Sequence, residues 1–205
     1  MTKLLTPNVV LSYPHLFKAV LRKNAKPDEK PQFSAAFLFD EAALTAPETK
    51  AILAAVMEAA YAKWGKKTVD TWIEEGTFEL PFKKDIVSKG YPERFKRYIS
   101  CASGADYPPA VVGRFKDPKT GKLEVITDAR RLYPGAVVRV SVTVRCYGGE
   151  KGWKPGVKLD LANVQLIDDT AERLTAGGAG GEPDEFGSGE EKQAGTDADF
   201  DSLLG

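Results

Sequence analysis

The eleven residues Val-Val-Arg-Val-Ser-Val-Thr-Val-Arg-Cys-Tyr, positions 137–147, decide the fold class of this chain. Apolar and polar residues alternate along them, and a period of two residues is typical of a half-buried β-strand. The side chains predicted to face a core are Val138, Val140, Val142, Val144 and Cys146. The opposite face is formed by Val137, Arg139, Ser141, Thr143, Arg145 and Tyr147. The stretch predicts a mainly β protein in which this strand is central.

Other strand-like runs lie on both sides of this stretch, at 9–13, 32–39, 97–102, 109–115, 123–128 and 157–167. Between the second and third runs, Thr45-Ala-Pro-Glu48 indicates a capping box with proline in the first turn of a helix, which ends before Gly65. A second, shorter helix is predicted near 68–75. Strands with one main helix inserted between them and with basic loops predict a small, strongly curved barrel of the OB type.

The net charge of zero conceals an asymmetry between the two ends of the chain. Residues 172–205 contain nine acidic and two basic residues, which leaves 27 basic and 20 acidic residues in the rest. The body therefore carries +7 and the C-terminal segment −7. Gly, Ser, Glu and Asp dominate that segment, so we expect a domain at 1–171 and a disordered acidic tail at 172–205. The asymmetry favours a nucleic acid as partner of the body.

The end of the tail differs from the rest because apolar residues stand among its acids. Such a segment suits docking into a basic, partly apolar groove of a partner. The residues predicted to dock are Asp197, Asp199, Phe200, Asp201, Leu203 and Leu204. The alternative is a tail that serves only solubility.

Basic and aromatic residues are interleaved at three places, which is the pattern that single-stranded nucleic acid requires. Phosphates need cations, and unstacked bases need aromatic rings. The predicted binding residues are Arg139, Arg145 and Tyr147 on the central strand, Lys151, Trp153 and Lys154 in the Gly-rich loop after it, and Arg94, Phe95, Lys96, Arg97 and Tyr98. The alternative is a solvated outer face with some of these aromatic residues in the core.

The sequence offers little for catalysis or for a cofactor. His15 is the single histidine and is predicted to be packed or to cap a helix, and Asp117-Pro-Lys119 indicates a turn. Cys101 and Cys146 indicate neither a disulfide framework nor a zinc site, and their small number favours a reducing, cytoplasmic compartment. We therefore predict a protein that is not an enzyme, with no metal, no cofactor and no membrane partner.

Several of these runs also resemble phage single-stranded DNA-binding proteins, a small OB-fold family with an acidic C-terminal tail. The resemblance spans about residues 8–170. It rests on 11–17, 33–39, Leu132-Tyr-Pro-Gly135, the valine strand ending in Cys146-Tyr147, and 156–165. It implies a protein that coats phage DNA during replication and recombination in the host cytoplasm. It also implies that the tail recruits replication or recombination proteins, although Ser-Leu-Leu-Gly follows Phe200 here, where related tails end on an aromatic residue.

The resulting hypothesis is sequence-independent binding of single-stranded DNA by phosphate contacts and base stacking, with the tail acting in autoinhibition or partner recruitment. One alternative is a general DNA-binding or annealing protein that also binds duplex DNA. Another is a non-enzymatic structural or adaptor protein of a virion or replisome. The sequence leaves open whether the chain forms a homo-oligomer.

Overall fold

A computed structural model describes residues 2–22, 25–150 and 153–174. The strands in chain order are β1 Leu4–Leu5, β2 Val9–Val20, β3 Gln32–Asp40, β4 Phe95–Gly104, β5 Ala110–Lys116, β6 Leu123–Val125, β7 Val137–Tyr147 and β8 Gly156–Asp168. The helices are α1 Glu41–Thr45, α2 Pro47–Trp64 and α3 Lys66–Glu74. None of the helices in these ranges is long and apolar enough to cross a membrane.

Five of the strands close into a ring. Antiparallel pairs join β7 to β2, β2 to β3, β3 to β4, and β8 back to β7. A parallel contact between β4 and β8, at Ala102 and Asp160, completes the ring. This connectivity is that of a five-stranded OB-type barrel, so the predicted mainly β fold is confirmed. Outside the ring, β1 extends β7, and the β5–β6 hairpin extends β8.

The core lies inside the ring, and β7 contributes to it as its alternation predicts. Val138, Val140 and Val142 are fully buried, and they pack with β3 residues such as Phe37 and with one face of α2. Ser141 was predicted on the exposed face of β7 but is buried as well. The physical reason is tertiary, since the Glu48 end of α2 and strand β1 both reach that part of β7.

The main helix ends as predicted but begins differently. Its N-cap is Ala46, which makes no side-chain capping bond, and Pro47 is its first residue. Thr45 instead ends α1, and its hydroxyl donates back to the carbonyl oxygens of Glu41 and Ala42. The predicted capping box is therefore wrong. At the other end, Gly65 has φ +81° and donates its N–H to Tyr61, as a helix-ending glycine does.

Strand β2 is longer than the sequence indicated, because a β-bulge lets it continue through a proline. Its pairing with β3 shifts by one residue between Ser12 and His15, so Tyr13 and Pro14 lie in the irregular stretch. Proline is tolerated in a strand at such a bulge, where its missing N–H costs no ladder bond. Tyr13 has φ +45°, a left-handed conformation that non-glycine residues seldom adopt.

At the C-terminal end, ordered packing continues three residues past the predicted boundary at 171. The Tyr133 hydroxyl donates to the carbonyl oxygen of Ala171 at 2.6 Å, and the Arg173 guanidinium lies 4.3 Å from the centre of the Tyr133 ring. The N–H of Leu174 then donates to the carbonyl oxygen of Pro134 at 2.9 Å. The remainder of the predicted tail lies outside the described residues.

Candidate nucleic-acid interface

The outer face of β2, β3 and β4 has two halves, one covered by another segment of the chain and one open to solvent. In the first half, Leu38 and Tyr98 are buried beneath Ile86, Tyr91 and Phe95. The last three residues belong to the segment 85–95, which folds back over the sheet. We call this the covered half.

The Tyr98 phenol is sealed within the covered half. Its hydroxyl donates to the Asp85 carboxylate at 3.1 Å. Burial, with that hydrogen bond, raises the pKa of Tyr98 to about 12. The phenol therefore stays protonated and apolar in character at any physiological pH.

The second half of the same face is open to solvent. His15 pairs with Ser34, Ser34 with Ala102, and Ala36 with Ser100 across the three strands. These small side chains form the floor of a groove of about 980 Å³ that continues across the β4–β8 contact to β7. We call this the groove. Its floor leaves space that large side chains fill in the covered half.

Aromatic rings stand at the walls of the groove. Tyr107, in the turn after β4, is 76% exposed, and Tyr13 is 51% exposed. The bulge in β2 turns Tyr13 outward, and its ring meets that of Tyr91 edge-on with 6.3 Å between centroids. A residue held at positive φ costs conformational free energy, and such strain is concentrated at functional sites. The two tyrosines offer accessible faces on which unpaired bases can stack.

Cations outnumber acids among the residues that line the groove. Arg145 on β7 and Lys158 on β8 are cross-strand partners on one side, and Arg22 and Lys89 lie on the other. Asp160 is the one acid among the lining residues within the described chain. Its carboxylate lies 2.5 Å from Arg145 Nε and 3.8 Å from Lys158 Nζ, so its charge is already paired. Arg22 is paired with Glu29 at 2.5 Å, but the four cations still outnumber these two acids, which gives the groove the positive charge that phosphates require.

The groove also holds a cysteine and a histidine, which differ in their exposure. Cys101 lies behind its floor, where burial raises the pKa of the thiol, and a protonated buried thiol is a poor nucleophile. Among the residues the structure describes, no group of three His, Cys, Asp or Glu side chains is placed to hold a metal ion. His15 was predicted to be packed, but it is exposed in the groove.

The structure brings only some of the predicted binding residues to the groove. Arg145 lines the groove, and Tyr98 lies at the border between the groove and the covered half. Trp153 is 72% exposed in the loop of the β7–β8 hairpin, beyond the Arg145–Lys158 pair, and Lys154 is exposed beside it. Lys151 lies outside the described residues, as do all the predicted docking residues of the tail, Asp197, Asp199, Phe200, Asp201, Leu203 and Leu204.

Arg139 and Tyr147 share a strand face with Arg145 but contact other parts of the protein. Arg139 donates to the carbonyl oxygen of Thr6 at 3.0 Å and to Glu48 at 3.1 Å. The Tyr147 hydroxyl donates to Glu79 at 2.6 Å, and burial together with this hydrogen bond raises the pKa of Tyr147. Both side chains are thus half-buried and engaged in intramolecular contacts, and their role in binding DNA stays a prediction.

The predicted run 94–98 is also split by tertiary packing. Phe95 is 3% exposed and belongs to the covered half, as does Tyr98, so neither presents a free ring for stacking, contrary to the prediction. Arg94 lies over the Phe95 ring and 3.8 Å from the Glu172 carboxylate. Lys96 and Arg97 donate to nearby backbone carbonyls, of Glu93 and of Lys96 respectively. These cations lie at the end of β4 that is remote from Gly104 and the open floor.

Sequence reasoning missed several groove residues, namely Tyr13, His15, Arg22, Tyr107 and Lys158. A signal existed for Tyr13, because a proline inside a strand-like run indicates a bulge. A signal also existed for Lys158, which alternates with the buried Val157 and Leu159 on the final strand. Tyr107 lies in a turn, and its approach to the groove depends on the fold alone.

Comparisons with known proteins agree with this architecture. A family model described as Enterobacter phage Enc34, ssDNA-binding protein, matches residues 2–198. Among solved structures, gp2.5, a single-stranded DNA-binding protein encoded by bacteriophage T7, has a TM-score of 0.54 at 14% identity, covering 82% of this chain and 92% of that chain. No curated protein sequence matches this chain.

Two structures of the single-stranded DNA-binding protein from bacteriophage Enc34 are also similar. A C-terminal truncation has a TM-score of 0.51 at 19% identity, covering 84% of this chain and 88% of that chain. The protein in complex with ssDNA has a TM-score of 0.50 at 20% identity, covering 84% and 89%. At these identities the structural matches establish the shared fold.

Proposed function

This chain belongs to the family of the Enterobacter phage Enc34 single-stranded DNA-binding protein, and on that premise we propose that it binds single-stranded DNA in the groove. Binding is independent of sequence and involves no catalysis. The observation that carries the proposal is the open half of the β2–β3–β4 face, where a floor of small residues is bordered by cations and by exposed tyrosines. The family, described as DNA-binding, agrees with the prediction that the chain is not an enzyme.

Each part of the groove has a role in this proposal. Arg145, Lys158, Lys89 and Arg22 contact phosphates, which gives affinity without reading the bases. Tyr13 and Tyr107 stack on bases, and stacking tolerates any sequence because every base has a π face. The hydroxyls of Ser34 and Ser100 supply adaptable donors on the floor. Trp153 and Lys154 extend the same combination beyond the Arg145–Lys158 pair.

The preference for a single strand follows from the tyrosines. In a duplex the base faces are already stacked on one another, so Tyr13 and Tyr107 gain no partner, whereas phosphate contacts form with either kind of DNA. A general DNA-binding or annealing protein would bind DNA through the cations alone. A structural adaptor would bind DNA neither through the cations nor through the tyrosines.

We test the proposal with the anisotropy of a labelled oligothymidine, competed by unlabelled duplex of equal length, at two salt concentrations. The key variant is Arg145→Glu/Lys158→Glu, and its matched control is Lys50→Glu/Lys67→Glu, which changes the same charge on exposed helix positions. We expect the wild type to bind more weakly at high salt and to resist the duplex. The groove variant should lose at least about tenfold in affinity and reduce the salt slope by about 1.4.

The outcomes separate the rival functions. Equal displacement by duplex would make the chain a general DNA-binding protein. If the groove variant and the control variant bind oligothymidine with equal affinity, the groove is not the DNA-binding site. If the protein does not bind oligothymidine even at low salt, the DNA-binding functions are excluded and the adaptor function remains.

For the acidic tail we propose competition with DNA for the groove. The tail carries −7 and the body +7. The chain leaves the described domain at Leu174, which lines a small cavity together with Tyr13 and Tyr91, at the edge of the groove. A segment tethered there has a local concentration in the millimolar range. In the same proposal, Phe200, Leu203 and Leu204 recruit replication or recombination proteins once DNA has displaced the tail.

The test of this competition is deletion of residues 175–205. We expect a higher affinity for oligothymidine, with the largest gain at low salt, since the competing contacts are electrostatic. The control keeps the full length and replaces the tail's Asp and Glu residues by Asn and Gln, and it should behave like the deletion. An affinity that is unchanged at low salt in both variants would exclude autoinhibition.

A further inference from the structure

A second cationic and aromatic surface lies outside the groove, on the hairpin of β5 and β6. This hairpin extends beyond the ring and is attached to it through β8. Between positions 114 and 122 it carries the exposed cations Arg114, Lys116, Lys119 and Lys122. We call residues 114–123 the finger. Within the described part of the chain, none of these four cations forms an ion pair.

The finger contains a single acid, and that acid has a structural role. The Asp117 carboxylate accepts the backbone N–H of Lys119 at 2.7 Å and that of Thr120 at 3.3 Å, so it organises the turn. One carboxylate against four cations leaves the finger strongly positive. An anionic partner is therefore favoured at this surface.

The aromatic component of the finger is Phe115, which is 65% exposed. The Arg114 guanidinium lies 4.6 Å from the centre of its ring. A single exposed apolar residue needs no explanation. A ring flanked by cations near the end of β5, however, has the combination that stacks a base and neutralises the adjacent phosphate.

A simpler role for the lysines is protection of the sheet edge. β6 is an edge strand of three residues, and charged side chains on such edges prevent pairing with another chain. That role accounts for Lys122, which directly precedes β6, whereas Lys116 lies on the inner strand β5. The same role does not account for Phe115, since an exposed aromatic ring promotes association rather than preventing it.

The position of the finger determines what it can reach. Arg114 approaches the carbonyl oxygen of Ile167, near the end of β8, whereas Lys158 lies in the groove near the beginning of β8. Nine residues of extended strand correspond to about 30 Å. A short oligonucleotide held in the groove would therefore not contact the finger.

We propose that the finger is a second contact site for the same DNA strand, used only by oligonucleotides long enough to extend beyond the groove along β8. The inference rests on the proposed function, because it takes the groove as the first site. Phe115 stacks on a base, and Arg114, Lys116 and Lys119 contact the neighbouring phosphates. The finger thus sets how many nucleotides one molecule covers.

The experiment compares oligothymidines of about 6 and about 20 nucleotides, a range that brackets common site sizes of OB folds. The variant is Phe115→Ala/Lys116→Gln/Lys119→Gln, and the control is Lys50→Gln/Lys67→Gln, which removes the same number of cations from α2 and α3. We expect the finger variant to bind the short oligonucleotide like the wild type and the long one about tenfold more weakly. Its salt slope on the long one should fall by about 1.4.

A second variant reports on the contact directly. Phe115→Trp should show fluorescence quenching, relative to the wild type, with the long oligonucleotide and not with the short one. If the finger variant and the control bind the long oligonucleotide equally, or if Phe115→Trp shows no added quenching, the second site is overturned. If the wild type binds neither oligonucleotide, the proposed function fails as well, so the two failures are distinguishable.

Discussion

The covered half and the open half of the β2–β3–β4 face are built on the same strands and differ in what lies on them. In the covered half, Leu38 and Tyr98 form a cross-strand pair sealed by the segment 85–95. Four residues along β3, Ser34 pairs with Ala102 and is left open. The comparison teaches that the size of a few outward side chains decides whether a sheet face becomes core or binding surface.

The largest expected effect is on the stability of the covered half. Leu38→Ala removes a fully buried side chain and should lower the free energy of unfolding by about 2–5 kcal/mol. Its counterpart in the open half, Ser34→Ala, should stay within about 0.5 kcal/mol of the wild type. Urea denaturation followed by circular dichroism measures both. Equal destabilisation by the two substitutions would contradict the division of the face.

Next in size is the contribution of the aromatic wall of the groove to DNA binding. Tyr107→Ala should weaken binding of oligothymidine by about 1–3 kcal/mol, the value of one stacked base, and should leave stability unchanged. Phe17→Ala is the matched control, because Phe17 is exposed on β2 but does not line the groove. Anisotropy titration gives both affinities. A loss of the same size for Phe17→Ala would show that the tyrosine wall has no special role.

A smaller effect, of opposite sign, is expected at the acid of the groove. Asp160→Asn removes the carboxylate that competes with phosphates for Arg145 and Lys158. Affinity for oligothymidine should rise about two- to fivefold at low salt, in line with the modest free energy of a partly exposed ion pair, and the gain should shrink as salt is added. Asp169→Asn, which breaks a pair with Arg131 outside the groove, is the control. A gain that persists at high salt would argue against charge competition.

A pH dependence of stability, separate from these effects on affinity, belongs to the covered half. The pKa of Tyr98 is raised to about 12, above the ordinary value near 10. The folded state therefore holds this proton more tightly than the unfolded state. Its contribution to stability is complete below about pH 10 and is lost as the pH rises towards 12. Urea midpoints over this range should fall less steeply for Tyr98→Phe than for the wild type, and identical slopes would refute the assignment.

The parts of this fold that could be predicted are those fixed by local pattern. β7 has the predicted bounds because its alternation is strict, and Arg145 was found because it is on the polar face of that strand. Arg139 lies on the same polar face, yet it contacts Thr6, which follows β1, and Glu48 of α2, and no local sequence pattern predicts those contacts. Phe95 and Tyr98 pack with Ile86 and Tyr91 of the segment that precedes β4, and this segment has no strand or helix period from which its position over the sheet could be predicted.

The β4–β8 contact is the narrowest pairing in the ring, and we call it the seam. Ala102 and Asp160 are 58 positions apart and form the single residue pair of that contact. The β7–β8 hairpin on one side is locally connected, whereas residues 41–94 separate β3 from β4 on the other side, so the β3–β4 pairing and the seam both require closure of a long loop. The groove crosses this seam, and a strand bound there contacts both sides. DNA bound in the groove would then stabilise the closed ring, because it contacts the strands on both sides of the β4–β8 contact.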